Sequence, residues 1–494
     1  MDRARTKTSH WVFLLLAVVP LATAAAGLKN RIDAVLNDKR LEEAKIGVCV
    51  VARGTGRLIY AHRAMVPHIP ASNQKIITAA AALEELGTSY RFSTGLWLRG
   101  RLDDTGRLTG DLLLRGGGDP TLGSREFAKH IESENWTGGP PANLRSWARR
   151  LAGTGLRRVT GEIIVDDTFF DRKHVHPDWP RRQLWRYYCA PSAGLVYQDS
   201  CIGVNVRPAE AVGEPAHVLL DPPVRGIEVA NSCTTRPKRH VIWFERKPGS
   251  GLIRVGGSVR HESFGYNGRV TVPQPALFAG RAFAHELKKA GVHLDNPVRL
   301  IEGKTDLSDQ GWRRMADREV PLQAVLSVML KESENLYAEQ VAKTLGAVDG
   351  GQGTWAAGLR CMGKMLRRMH VKPEDFRLAD GSGMSRKNRL TPRGICEVLL
   401  QMTGRQTGED LAPLLAAPGE GTLDDRFGGQ TYRDRIRAKT GYLYGVGALS
   451  GYATSRSGRR VVFSVMINEF SRGGNADMKQ IQDRIVREII ERLD

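Results

Sequence analysis

Ile436-Arg437-Ala438-Lys439-Thr440-Gly441-Tyr442, preceded by Tyr432-Arg433-Asp434-Arg435 and followed by Val446-Gly447-Ala448-Leu449-Ser450-Gly451-Tyr452, reads as two adjacent strands joined by a short turn. The Lys-Thr-Gly triplet inside it arises by chance on the order of 0.1 times in a chain of this size. Two distant segments give it meaning. Ser72-Asn73-Gln74-Lys75 is the only Ser-x-x-Lys in the chain, against about two expected at ordinary residue frequencies. Ser-x-Asn occurs at Ser133-Glu134-Asn135 and at Ser333-Glu334-Asn335. The first runs into Trp136-Thr137-Gly138-Gly139-Pro140-Pro141, a breaker cluster that reads as loop. The second leads into Leu336, Ala338, Val341, Ala342 and Leu345, spaced as on a helix. We therefore take Ser333 and set Ser133 aside.

Each piece alone has an ordinary reading. Ser72 could be an N-cap, Lys75 a solvated first-turn lysine, Asn335 a polar helix residue, and Lys439 one of 73 basic side chains. The ordered combination has a chemical reading instead. Pro70-Ala71-Ser72 precedes the alanine-rich run Ile76 to Leu83, which has high helix propensity. Lys75 then lies one turn beyond Ser72 on the same face, and the helix N-terminus favours a developing serine alkoxide. Lys75 serves as general base only when neutral, which requires burial or a neighbouring cation; Lys439 is the expected cation. Ser333 would relay a proton to the leaving amine, and Asn335 would hold a substrate amide. Lys439 and Thr440 would engage a terminal carboxylate. Gly441 would let the substrate backbone approach the strand closely, and the N–H groups of Ser72 and Tyr442 would form an oxyanion hole.

The ordered trio resembles the signature of penicillin-recognising serine acyl-transferases. More narrowly, the chain resembles the peptidoglycan D-alanyl-D-alanine carboxypeptidase/endopeptidase family, the low-molecular-mass penicillin-binding proteins of class C type. The likeness extends through Leu114-Arg115-Gly116-Gly117-Gly118-Asp119-Pro120-Thr121-Leu122, Asp380-Gly381-Ser382-Gly383-Met384-Ser385-Arg386, Gly421-Thr422-Leu423 and Gly161-Glu162-Ile163-Ile164-Val165-Asp166-Asp167. It implies that Asp166 matches an acidic residue used beside the substrate's diamino-acid end; a loop cap is the alternative reading of that aspartate. Two departures stand out. Tyr442 occupies a position where threonine is common, and Glu334 one where aspartate is frequent.

The resemblance implies an α/β (α+β) fold: a β-lactamase/transpeptidase-like domain, with an antiparallel sheet flanked by helices, interrupted by a large, mostly β insertion. Ser72 and Ser333 stand 261 positions apart, too far for one connection within a compact domain. The expected divisions are a signal peptide over 1–24, a catalytic domain over 25–93 and 274–494, and inserted domains over 94–165 with 235–273 and over 166–234. Strands are expected at 47–51, 58–60, 112–114, 163–165, 203–206 and, centrally, at 461–467. Helices are expected within 140–151, over 276–290, where the chain would return to the main domain, and over 478–493.

Arg3, Arg5 and Lys7, the apolar run Trp11 to Leu21, and Ala22-Thr23-Ala24 form a leader pattern. An exported protein, periplasmic or associated with the cell wall, is expected. Its charge of +20 suits anionic wall polymers or lipids, with membrane contact at most peripheral. No basic run interleaved with aromatics speaks for nucleic acid. The six cysteines contain no Cys-x-x-Cys, and His-Glu-x-x-His is absent, so no metal or other cofactor is called for. For Cys189 and Cys201, a bridge and buried thiols are both open readings. The function expected is a serine DD-peptidase. It would act on peptidoglycan stem peptides as carboxypeptidase, endopeptidase or both, through an acyl-Ser72 intermediate, with β-lactams as covalent inhibitors. A β-lactamase or esterase using the same residues, or a non-catalytic wall-binding protein, are the competing readings.

Overall fold

The computed structural model describes residues 21–130, 142–303, 306–308, 311–403, 411–428 and 430–493. Residues 11–20 of the expected leader's apolar run and Ser133-Glu134-Asn135 lie outside the described residues, whereas Leu21 to Ala24 open the first helix. The first described element is helix α1 (Leu21–Leu36), whose Leu28, Ile32 and Val35 are buried. Strands β1 (Lys45–Ala52) and β2 (Leu58–His62) follow, then helix α2 (Gln74–Glu85). After the insertion come helices α3 (Leu322–Lys331), α4 (Asn335–Val348), α5 (Trp355–Arg368) and α6 (Pro392–Gln401). Strands β3 (Ile436–Leu443), β4 (Val446–Thr454) and β5 (Arg460–Asn468), and helix α7 (Asn475–Arg492), complete the chain.

The catalytic sheet is antiparallel throughout, in the order β3-β4-β5-β1-β2. Strand β1 lies inside it, and its alternate residues feed two cores, as the two-residue period of a strand requires. Ile46, Val48 and Val50 join α1 and α7 on one face. Cys49 and Val51 join α2, α4, α5 and α6 on the other. Helix α2 is buried on all sides from Gln74 to Leu83, which explains its run of four alanines: small side chains let it pass between sheet and helices.

The insertion has a core of its own. Its seven-stranded sheet is built on strands 91–102, 107–116 and 313–321, with shorter pieces at 158–159, 163–166, 293–294 and 298–300. A three-stranded sheet (201–207, 217–221, 266–271) and a four-stranded one (228–231, 234–236, 241–246, 252–260) form its outer part. This pairing redraws the expected divisions. Helix 275–289 does not return the chain to the catalytic domain: Phe278, Ala282 and Phe283 pack with Leu112, Leu114 and Val165 in the inserted core. Strands beyond it pair with the inserted sheet up to Pro321, so the return falls at α3. Residues 235–260 likewise join 228–234 rather than the seven-stranded sheet. Period and turn chemistry mark strands but carry no partner information across such separations. All six cysteines are buried and free, so the structure contains buried thiols and no Cys189–Cys201 bridge.

Helices α4 and α5 touch backbone to backbone. A Cβ added to Gly358 would stand 1.8 Å from the Ala342 carbonyl oxygen. Gly→Ala in a helix ordinarily stabilises by about 1 kcal/mol, but here the overlap is with fixed backbone. We expect Gly358→Ala to destabilise by about 1–3 kcal/mol, read as a lower urea midpoint; an unchanged or raised midpoint would refute this crossing.

Candidate active site

Ser72 sits in a 3₁₀ turn, Ala71–Asn73, directly before α2. Ala71 has φ +45°, and a Cβ on Gly383 would come 1.8 Å from the Ala71 carbonyl oxygen. Only glycine fits there, so the 380–383 segment presses directly on the serine turn. On the opposite side, a Cβ on Gly441 would lie 3.0 Å from the Ser72 nitrogen. Strand β3 therefore passes close to the serine turn. The Asn73 carboxamide lies 2.6 Å from Ser450 Oγ; with its nitrogen turned to the strand it donates to the Lys439 carbonyl at 2.8 Å. Turn and strand are thereby pinned together.

Lys75 is completely buried. Its Nζ donates to Ser72 Oγ (2.8 Å), Asn335 Oδ1 (2.7 Å) and the Ser382 carbonyl (3.0 Å). Three acceptors match the three protons of an ammonium; an amine that gives up one keeps Asn335 and Ser382 as anchors and turns its lone pair to Ser72. Burial lowers the Lys75 pKa to about 8, against the opposing pull of Glu339, Asp380 and Glu334. Lys439 is also fully buried, and burial, then the neighbouring Lys75, pushes its pKa well below the ordinary lysine value. Its Nζ donates to the Thr440 carbonyl at 2.9 Å.

Ser333, with φ +64°, and Asn335, the first residue of α4, line the same cavity of about 590 Å³ as Ser72 and Tyr442. Asn335 Nδ2 donates to the Tyr188 carbonyl at 2.8 Å. Thr440 and Asp166 are not among the residues that line the Ser72 cavity. Thr440 lines an adjoining cavity of about 430 Å³ with Gly421, Gly441, Tyr442 and Gln482, and Tyr442, on the same strand face as Thr440, lines both. Asp166 lies in the inserted sheet, buried, accepting from Thr168 N (2.9 Å) and Oγ1 (2.6 Å) and paired with Arg115. It caps a turn and does not line the Ser72 cavity.

Several residues that complete the site escaped the sequence reading. Asp178, Pro180, Gln183 and Tyr188, all from the insertion, form one wall, and Arg386 stands among the lining residues. Glu339 is buried, accepting from Ser382 N (2.8 Å), Gly381 N (3.1 Å) and Trp355 Nε1 (2.7 Å), so it fixes the carbonyl that Lys75 uses. Burial, with Asp380 adding to it, raises the Glu339 pKa. Asp380 in turn accepts from Gly383 N, Asn388 Nδ2 and Trp179 Nε1. The i, i+4 spacing of Asn335 and Glu339 on one helix face was the available signal.

Comparison with known proteins agrees with this geometry. The chain is 32% identical to the D-alanyl-D-alanine carboxypeptidase of Actinomadura sp. (strain R39), over 97% of this chain and 88% of that protein. It is 28% identical to the carboxypeptidase DacB of Mycolicibacterium smegmatis, over 91% of this chain and 80% of the relative. In fold it is similar to the crystal structure of penicillin binding protein 4 (dacB) from Haemophilus influenzae, with TM-score 0.78 and 22% identity, covering 93% of this chain and 99% of that one. Because residues 28–491 match as one continuous stretch, insertion included, the chain belongs to the D-Ala-D-Ala carboxypeptidase 3 (S13) family.

Proposed function

We propose that Ser72 is the nucleophile of this serine-type D-Ala-D-Ala peptidase, and that Lys75 is its general base. The observation that carries the reading is the 2.8 Å contact of a fully buried lysine amine with the Ser72 hydroxyl. With a pKa of about 8, roughly a tenth of Lys75 is neutral at pH 7, against roughly one part in three thousand for an ordinary lysine. Ser72 gives its proton to Lys75 while its oxygen attacks the carbonyl carbon of the penultimate D-alanine. The oxyanion is met by the N–H groups of Ser72 and Tyr442. Collapse breaks the amide bond, and the departing amine takes the proton back, with Ser333 as relay from Lys75. Water then hydrolyses the acyl ester, and Lys75 returns as base. Asn335 and Lys439 complete the catalytic group.

The substrates are peptidoglycan stem peptides, cut at the terminal D-alanine, at D-Ala cross-links, or at both. A β-lactam acylates Ser72 by the same attack, with ring opening in place of amine release. The placement follows the substrate: we read the protein as exported, periplasmic or wall-associated. Among the described residues no helix is long and apolar enough to cross a membrane. The excess of 73 basic over 53 acidic residues supports contact with anionic wall polymers. Thr440 adjoins the Ser72 cavity through Tyr442 and is kept, with Lys439, for the substrate's terminal carboxylate, while Asp166 receives no substrate contact in this scheme.

Ser72→Ala should abolish covalent labelling by a fluorescent penicillin while leaving the circular dichroism spectrum unchanged; labelling at the wild-type rate would remove Ser72 from its role. The second-order acylation rate should climb with pH and level off above a midpoint near pH 8, as Lys75 loses its proton. Glu339→Gln removes a group that holds that proton on, so its midpoint should move to lower pH. A midpoint that stays put, measured across pH 6–10, would exclude Lys75 as the base tuned by Glu339.

A further inference from the structure

The outer four-stranded sheet has one face packed in the inserted core and one turned to solvent. Phe244, Ile253, Val255 and Val259 are on the packed face. Residues paired across strands share a face, so the register assigns the other one. Trp243 stands opposite Gly256, Val241 opposite Ser258, and Glu245 opposite Arg254; Arg236 stands opposite Arg260. Beside them runs a groove of about 630 Å³ lined by Thr234, Arg236, Lys238, Arg239, Gly257 and Ser258.

Three independent features converge on this groove. First, Arg236, Lys238, Arg239, Arg254 and Arg260 are exposed, and among the described residues none of them is in an ion pair. The register puts two carboxylates on that face, Glu245 and Glu228, which leaves a strong local excess of positive charge. Second, Ser258 lines the groove and is 4% exposed, and its buried Oγ has no hydrogen-bond partner among the described residues. A buried hydroxyl left unpaired is costly, and an incoming acceptor removes that cost. Third, Trp243 is 46% exposed and lies flat on the strand: a Cβ on Gly256 would come 2.1 Å from its Cζ2. A Cβ on the groove residue Gly257 would stand 3.4 Å from Trp243 Cδ1, so the indole borders the groove. The outer face of that ring is a platform for the C–H edge of a sugar or polyol.

We propose that this groove binds an anionic glycan polymer, one with phosphate or carboxylate groups repeating along a sugar or polyol chain. The cations take the anionic groups, Ser258 Oγ donates to one of their oxygens, and Trp243 stacks on a neighbouring sugar. The site deepens the wall-polymer contact proposed above and rests on it. A recessed groove with a hidden donor accommodates a chain rather than the plane of a membrane. Tethering by this sheet, remote from the Ser72 cavity, would raise the effective concentration of stem peptides around the cleft.

The test uses the full chain and four probes: glucosylated poly(glycerol phosphate), neutral dextran, phosphatidylglycerol vesicles and single-stranded DNA. Binding is followed by indole fluorescence and co-sedimentation at two salt concentrations. Wild type should bind the glucosylated polyphosphate and ignore dextran. The triple variant Arg236→Ala, Lys238→Ala, Arg239→Ala should bind at least tenfold more weakly. Trp243→Ala should lose several-fold in affinity while keeping the wild-type salt dependence, because stacking releases no counterions. Penicillin acylation should be unchanged in both variants, which reports an intact fold. Polymer binding that survives both variants would overturn the groove while leaving the wall-polymer reading standing; no binding by wild type would overturn both. Vesicles or DNA held as tightly through the same residues would overturn the glycan assignment.

Discussion

Two lysine amines buried within one network constrain everything around them. An isolated ammonium in a protein interior is costly enough that such groups shift their pKa or find partners, and here both happen. Lys75 keeps three hydrogen-bond acceptors and the partial support of nearby carboxylates. Lys439 has one backbone carbonyl and like charge nearby. The result is an amine poised close to working pH beside a hydroxyl, which is what proton abstraction asks of a base. Such a balance tolerates little slack. That explains why the walls are backbone pressed on backbone, at Gly383 against Ala71 and at Gly441 against Ser72.

The insertion is part of this machinery rather than an appendage. Helix α4 faces it along most of its length. Asn335 is held by the Tyr188 carbonyl, Gln340 Oε1 accepts from Ser192 Oγ at 2.6 Å, and Lys343 Nζ reaches Asp171 Oδ1 at 2.6 Å. Lys343 also lies 4.1 Å from the centre of the Trp355 ring, so its charge is shared between a carboxylate and a π face. On the far side of the cleft, Trp179 donates to Asp380 at 3.0 Å. The residues that orient the catalytic groups are therefore themselves oriented from the inserted region. Removal of that region would strip one wall from the cavity and leave Asn335 without the acceptor of its amide.

Much of this was legible in the chain because catalysis needs particular residues at short spacings. Ser72 with Lys75, Ser333 with Asn335, and Lys439 with Gly441 each report a local geometry, and the structure brings the three together. The central strand at 460–468 was readable from its unbroken apolar run. What escaped depends on long-range pairing. Helix 275–289 has an amphipathic pattern that fits any core, and only its contacts show that it serves the insertion. The resemblance assigned Asp166 to the substrate's diamino-acid end, whereas its side chain accepts from Thr168, two residues on, as the loop-cap reading has it. Glu339 was passed over as one polar residue in a helix, although it stands one turn after Asn335.

The substitution of glutamate at the centre of the second motif fits the same logic of avoided charge. Glu334 feels the charges of Asp199, Arg269 and Glu126, with Arg269 3.4 Å from Asp199 and 3.5 Å from Glu126. These carboxylates crowd one guanidinium, although Glu126 also pairs with Lys129 at 2.9 Å, so they cannot all ionise cheaply. Burial and then Asp199 raise the Glu334 pKa to about 8, and burial raises that of Asp199 to about 6. Glu334 therefore stays mostly protonated at neutral pH. A longer side chain in that place adds reach without adding a second buried anion beside Asn335. Its ionised fraction adds to the pull of Glu339 and Asp380 that opposes the effect of burial on Lys75.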